Sequence, residues 1–135
     1  MYTIRKKFRF ESAHILSDSY SKDCRNFHGH SYIMEVFISS KTLNEDAMVI
    51  DFGKLKEIVK PLIDRWDHSL MLQESIREKV FYKNFHLKLE VVDFNPTAEN
   101  MAKYAYSWIE TELPRHLKLK VRIHETETGY AEYSE

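Results

Sequence analysis

The chain has 135 residues, which predicts a single domain over residues 1–135, and its single cysteine excludes an intrachain disulfide. Its charge is balanced, with 20 basic and 21 acidic side chains, and this balance argues against nucleic acid as a partner. The sequence has no signal-peptide pattern and no apolar run of ~18 residues, the length of a membrane span, so we expect a cytoplasmic protein with no membrane partner.

The first forty residues predict two strands. Apolar and polar residues alternate from Tyr2 to Phe10, which is the period of a half-buried strand. A second alternating run begins at His30 and extends to Ile38, with apolar residues on both faces. The only cysteine and three of the seven histidines lie between these strands or at their ends.

Two amphipathic helices are predicted in the middle of the chain. Asp51 can cap the first, and apolar residues recur at helical spacing from Leu55 to Trp66. Pro61 interrupts this helix and is expected to kink or end it near Lys60. The second helix opens at residues 96–97, and its apolar side is formed by Met101, Ala105, Trp108 and Ile109.

Strands are predicted again at the end of the chain. Residues 69–85 show no clear pattern, and residues 87–91 suggest a short extended piece. Residues 117–123 alternate cleanly, and a final strand is predicted over residues 130–133, after a turn at Gly129. Together these elements predict an α+β domain, with two helices on one face of an antiparallel sheet.

The face of the sheet opposite the helices is predicted to be basic. Exposure to solvent is the default explanation. The alternative is the lumen of an oligomeric barrel, because closing the sheet between subunits would remove its exposed edges. The basic residues are Arg5, Lys7, Arg9, Lys118, Lys120 and Arg122.

The most informative cluster is His14, His28 and His30, with Cys24 close by in the sequence. His28 and His30 flank a glycine, so an extended backbone directs both imidazoles to the same side, and His14 can supply a third nitrogen. Three imidazoles with an open position are typical of catalytic zinc, and chance occurrence is the weaker alternative. Cys24 is then either a fourth ligand that closes a structural site, or a nucleophile or base beside the metal.

Four other residues are candidates for chemistry. Glu125 continues an apolar row, where its carboxylate would bind a planar ligand with two parallel N–H donors, although a solvated strand end is an equal alternative. Asp67 and His68 fit a carboxylate that orients an imidazole, but a polar loop also explains them. Glu99 lies in the first turn of the second helix, where an acid also offsets the helix dipole. No chemical role is assigned to His86, His116 and His124.

Several short motifs resemble one enzyme family, in the same order and over nearly the whole chain. Residues 24–30 (Cys-Arg-Asn-Phe-His-Gly-His) and 96–100 (Pro-Thr-Ala-Glu-Asn) together are highly specific. These motifs resemble the 6-pyruvoyltetrahydropterin synthase and 6-carboxytetrahydropterin synthase family. The other elements of the resemblance are residues 10–14, 49–52, 67–68 and 124–126.

The resemblance implies a role for each candidate residue. The ligands of Zn²⁺ would be His14, His28 and His30. The catalytic base would be Cys24, with proton transfer assisted by Asp67 and His68. The pterin would be anchored by Glu125, in a pocket also lined by Thr97 and Glu99. The implied architecture is a tunnelling fold, a ββααββ unit whose trimers close a barrel, often stacked as hexamers, with active sites between subunits.

The spacing of three residues between Cys24 and His28 resembles the carboxytetrahydropterin synthases of the queuosine pathway. We therefore expect a lyase that converts 7,8-dihydroneopterin triphosphate to 6-carboxy-5,6,7,8-tetrahydropterin and releases acetaldehyde and triphosphate. Formation of 6-pyruvoyltetrahydropterin is the alternative within the family. Outside enzymes, the alternative is a structural zinc-binding module with one cysteine and three histidine ligands.

Overall fold

In the computed structural model of the protein, the described residues are 1–17, 22–79 and 86–135. None of the helices in these residues combines the length and apolar character that crossing a membrane requires. Short 3₁₀ turns lie at Asp23–Arg25 and Glu74–Lys79. The main elements in chain order are β1 (Tyr2–His14), β2 (His28–Ser40), α1 (Phe52–Trp66), β3 (Ser69–Gln73), β4 (Leu89–Val92), α2 (Ala98–Glu110), β5 (Lys118–Thr126) and β6 (Gly129–Ser134).

The strands form one six-stranded sheet in the order β4-β3-β1-β2-β5-β6. β1 and β2 are antiparallel along their whole length, from Tyr2 opposite Ser40 to His14 opposite His28. β5 pairs antiparallel with β2 and with β6, so the predicted antiparallel arrangement is confirmed for these four strands. β3 and β4 join the edge of β1 in parallel, and the complete sheet is therefore mixed.

The two parallel strands occupy the stretch where the sequence shows no clear period. Met71 and Leu72 are adjacent in β3 and both are buried, so this strand lacks the alternation of a half-buried one. β4 overlaps with the extended piece expected over residues 87–91 and begins two residues later. Residues 80–85, within the same stretch, lie outside the described residues.

α1 begins at the predicted cap, where Oδ1 of Asp51 accepts hydrogen bonds from the backbone N–H groups of Gly53 and Lys54. Of the two effects expected of Pro61, a kink or an end near Lys60, the end does not occur, because α1 continues to Trp66. Proline removes one helical hydrogen bond, and burial of the helix's apolar stripe offsets that loss. The buried stripe consists of Leu55, Val59, Leu62 and Trp66.

α2 begins after Thr97, whose Oγ1 accepts a hydrogen bond from the backbone N–H of Asn100 at 3.3 Å. α1 and α2 bury their apolar sides in one core against the same face of the sheet, as predicted. The α2 side consists of Met101, Ala102, Ala105, Tyr106 and Ile109. The cap also fixes where the preceding Pro96 carbonyl lies, next to the end of β1.

The opposite face of the sheet has an acid among its basic residues. Glu35, from β2, is only 3% exposed, and its carboxylate accepts hydrogen bonds from Arg5 at 2.9 Å and from His124 at 2.7 Å. Burial raises the pKa of Glu35, but the bond from His124 and the charges of Arg5 and Lys7 outweigh burial and hold the pKa below its ordinary value. Sequence reasoning missed this residue, although Glu35 is the only charged residue of residues 31–40.

Candidate active site

Three histidines meet at the end of the β1–β2 pair. The register places His14 opposite His28, and His30 follows two residues later on the same side of β2. Nε2 of His14 lies 2.7 Å from Nε2 of His28 and 3.2 Å from Nε2 of His30. Among the described residues, these three form the only group of His, Cys, Asp or Glu side chains close enough together to hold a metal ion.

The hydrogen bonds of the imidazoles orient their free nitrogens toward one another. Nδ1 of His14 lies 2.8 Å from the carbonyl of Pro96, and Nδ1 of His28 lies 2.8 Å from the carbonyl of Asn26. A carbonyl can only accept, so both Nδ1 atoms carry the proton and both Nε2 atoms present lone pairs. Lone pairs that face each other at this distance need a shared cation, and the donor set therefore fits a metal that prefers nitrogen ligands.

The protonation state of the cluster also suits metal binding. Burial lowers the pKa of His14 to about 4; the hydrogen bond to the carbonyl of Pro96 opposes this shift, and the nearby His28 and His30 reinforce it. Burial and the proximity of His28 also lower the pKa of His30. Both imidazoles are consequently neutral at neutral pH, the form in which histidine binds metals.

Tyr32 belongs to this cluster and was missed by sequence reasoning. Its hydroxyl lies 3.1 Å from Nδ1 of His14, and the side chain is 1% exposed. Burial and the neighbouring Glu125 raise the pKa of Tyr32, so the phenol stays protonated. Its position two residues after His30 on the same face of β2 was the available signal.

A pocket of about 280 Å³ adjoins the histidines and contains the three residues predicted to bind substrate. Glu125 lies in it, with one carboxylate oxygen 4.0 Å from Nε2 of His14. Burial and the nearby Glu99 raise the pKa of Glu125, while His28 acts in the opposite direction. The pocket is lined by Leu16, Thr97, Ala98, Glu99, Glu125, Thr126, Gly129, Tyr130 and Ala131.

Asp67 and His68 form the predicted pair, but His68 lines a different concavity. Oδ2 of Asp67 lies 2.8 Å from Nδ1 of His68, and Oδ1 accepts a hydrogen bond from the backbone N–H of Glu11 at 2.8 Å. His68 has a φ of 56° and is 77% exposed. It lines a space of about 460 Å³ with Gly29 and His30, and not the pocket of Glu125.

Cys24 is half-buried in the 3₁₀ turn before β2. Its carbonyl accepts a hydrogen bond from the backbone N–H of Leu16 at 3.0 Å, which ties the turn to the segment after β1. The group of side chains that could hold a metal ion does not include its sulfur. Cys24 therefore lies near the ends of the two strands that carry the histidines, but outside the group that could hold a metal ion.

Comparison with known proteins gives a consistent relationship over the whole chain. A family model described as 6-pyruvoyl tetrahydropterin synthase matches residues 3–135. The 6-carboxy-5,6,7,8-tetrahydropterin synthase of Aquifex aeolicus is 35% identical over 159 residues, which cover 99% of this chain and 98% of the relative. The enzyme of the same name from Haemophilus influenzae is 36% identical over 143 residues, which cover both chains completely.

Solved structures show the same fold. The 6-pyruvoyl tetrahydropterin synthase of Plasmodium falciparum matches with a TM-score of 0.76 and 18% identity, over 98% of each chain. That of Caenorhabditis elegans matches with a TM-score of 0.71 and 24% identity, over 99% of this chain and 95% of the other. The tunnelling fold is thereby confirmed, and the family model with the two full-length relatives shows that this chain belongs to the 6-pyruvoyl tetrahydropterin synthase family, whose members are lyases.

Proposed function

We propose that this protein converts 7,8-dihydroneopterin triphosphate and water to 6-carboxy-5,6,7,8-tetrahydropterin, acetaldehyde and triphosphate, as a step of queuosine biosynthesis. The observation that carries the proposal is the position of Glu125, whose carboxylate lies 4.0 Å from the metal-binding nitrogen of His14 and within a pocket of about 280 Å³. Two relatives at 35% and 36% identity, aligned over nearly their full lengths, carry the name of this product.

The metal in this proposal is zinc, held by His14, His28 and His30. Support comes from the three Nε2 atoms that converge, because those of His14 and His28 carry no proton. When bound, zinc supplies a Lewis acid that polarises oxygen atoms of the substrate side chain. The carbonyls of Pro96 and Asn26 hold two of the imidazoles in the ligating tautomer.

Glu125 anchors the pterin ring in this proposal. Its carboxylate accepts hydrogen bonds from the 2-amino group and the adjacent ring N–H, a planar pair of donors that suits a bidentate acceptor. Glu99 and Thr97 line the same pocket. The hydroxyl of Thr97 already accepts from the backbone N–H of Asn100, so we assign Thr97 to the wall of the pocket and to the start of α2.

Cys24 acts as the catalytic base, and Asp67 and His68 assist proton transfer. Asp67 holds Nδ1 of His68, which leaves Nε2 of the exposed imidazole available to exchange a proton. Because His68 does not line the pocket of Glu125 in its own chain, we propose that it serves the pocket of a neighbouring chain. The assembly is a homo-oligomer, a trimer or a hexamer of two trimers, in which the outer strands of the described sheet, β4 and β6, join.

Mass analysis of the product tests the reaction. Purified protein loaded with zinc is incubated with dihydroneopterin triphosphate, and the pterin and acetaldehyde are both measured. Formation of 6-carboxytetrahydropterin with one equivalent of acetaldehyde supports the proposal. A 6-pyruvoyl product without acetaldehyde replaces it with the alternative reaction of the family, and no turnover favours a structural zinc-binding module.

A further inference from the structure

Adjacent residues of β5 face the two sides of the sheet. Glu125 faces the helices and lies in the candidate pterin pocket. His124 faces the other side, where its Nε2 donates a hydrogen bond to Oε1 of Glu35 at 2.7 Å. Neither His124 nor Glu35 lines the pocket.

A β-bulge lies at Glu125, directly after His124. His124 pairs with Tyr130 of β6, and Thr126 pairs with Gly129, so Glu125 is the extra residue and has no partner on β6. On the other side, the pairing of β5 with β2 ends at His124, opposite Ile33. His124 is therefore the last residue of β5 before the bulge that pairs with both neighbouring strands. A β-bulge changes the direction of the side chain of its extra residue, which here is Glu125.

The side chain of His124 is hydrogen-bonded to a carboxylate that is itself held in place. The carboxylate of Glu35 is buried and is held at the same time by Nη1 of Arg5 at 2.9 Å. The His124 ring also contacts the ring of Tyr130, with 5.2 Å between centroids. A buried carboxylate that is paired with an arginine is costly to displace, so the position of His124 along β5 is defined from β2 and from β6.

We propose that His124 is a positioning residue whose hydrogen bond to Glu35, on the back of the sheet, fixes the β5 bulge that directs the carboxylate of Glu125 into the pterin pocket. The inference rests on the proposed role of Glu125 in binding the pterin. It gives a function to a histidine that sequence reasoning left without one, and to the buried acid that it missed.

Two amide variants that differ by one methylene test the inference. Gln at position 124 reaches Glu35 with its amide N–H₂, and Asn does not, so His124→Gln is expected to keep neopterin affinity and His124→Asn to weaken it roughly tenfold. Affinity is measured by fluorescence titration of zinc-loaded protein with neopterin. Zinc content and the melting temperature are measured in parallel and are expected to be similar in the two variants.

The matched control removes a different interaction from the same face. Oγ1 of Thr3 lies 2.8 Å from Oγ of Ser39 in a hydrogen bond that involves neither His124 nor Glu35, so Thr3→Val is expected to change neopterin affinity by less than about twofold. Equal affinities of His124→Gln and His124→Asn, whether both are retained or both are lost, overturn the inference. If neopterin binding depends on Glu125 but not on His124, the inference about His124 fails and the proposed function stands. If the wild-type protein does not bind neopterin, the proposed function fails as well.

Discussion

A carboxylate oxygen of Glu125 lies 4.0 Å from Nε2 of His14, although these residues come from strands that β2 separates in the sheet. Glu125 lines the pocket, and His14 belongs to the three histidines that could hold a metal ion. β2 pairs with β1, which carries His14, and with β5, which carries Glu125. These two pairings set the distance between the proposed metal-binding end and the proposed pterin-binding end of the candidate site. Substitutions at the two ends are therefore expected to have separable effects.

At the metal end, replacing His14, His28 or His30 by Ala is expected to abolish both tight zinc binding and turnover, because two imidazoles hold zinc far more weakly than three. Zinc content after dialysis and product formation measure the two effects. His116→Ala, at an exposed position outside the cluster, serves as the control and should retain both. Full zinc occupancy in His14→Ala would contradict the assignment.

The role of Cys24 is decided by X-ray absorption of the zinc site. We expect nitrogen and oxygen ligands in the wild-type protein and in Cys24→Ser, with zinc retained and activity lost in the variant. A sulfur ligand that disappears in Cys24→Ser would instead identify a closed structural site with four protein ligands.

At the ring end, Glu125→Gln is expected to weaken substrate binding by about 1.5–3 kcal/mol, roughly ten- to a hundredfold, because the amide keeps the shape but loses the charge and presents a donor. Zinc content should stay unchanged. The measurement is KM or neopterin affinity in the zinc-loaded protein. An unchanged affinity would remove Glu125 from the pterin site.

His68→Ala is expected to depress turnover with little effect on zinc content, because its proposed task is proton transfer. Mixed oligomers reveal which chain it serves. When His68→Ala and His28→Ala chains are unfolded and refolded together, restored activity of about a quarter of wild type is expected if one chain completes the site of another. No restoration, or a stable monomer in sedimentation at micromolar concentration, would contradict the shared site.

Glu35 is expected to make the protein sensitive to acid. Its folded-state pKa lies below its ordinary value, so its ion pairs contribute stability that is fully present above the unfolded pKa and is lost as the pH falls through the folded pKa. Glu35→Gln should therefore be less stable than wild type at pH 7, and this difference should shrink below about pH 4.5. Urea unfolding midpoints measured across this range provide the test; a difference independent of pH would contradict it.

The elements that could be predicted from the sequence are those with one buried, apolar face and one polar face. β1, β2 and β5 alternate because only one of their faces meets the helices, and the three histidines follow from that period. β3 was missed because both of its faces are buried. α1 continues past Pro61, where a kink or an end was expected, because packing of the helix outweighs local preference. Tyr32 and Glu35 contact residues that are distant in the sequence, and such contacts cannot be predicted from a local pattern of apolar and polar residues.

The continuous β1–β2 ladder has a consequence for how the protein reaches its native state. The strands pair over thirteen positions, and the ladder ends with His14 opposite His28. A slip of one residue would turn His28 and His30 to the other side of the sheet and separate them from His14. A metal ion that binds all three imidazoles binds only the correctly aligned hairpin, and by mass action it enriches that alignment. Metal supply during synthesis is therefore expected to set the yield of correctly folded protein as well as its activity.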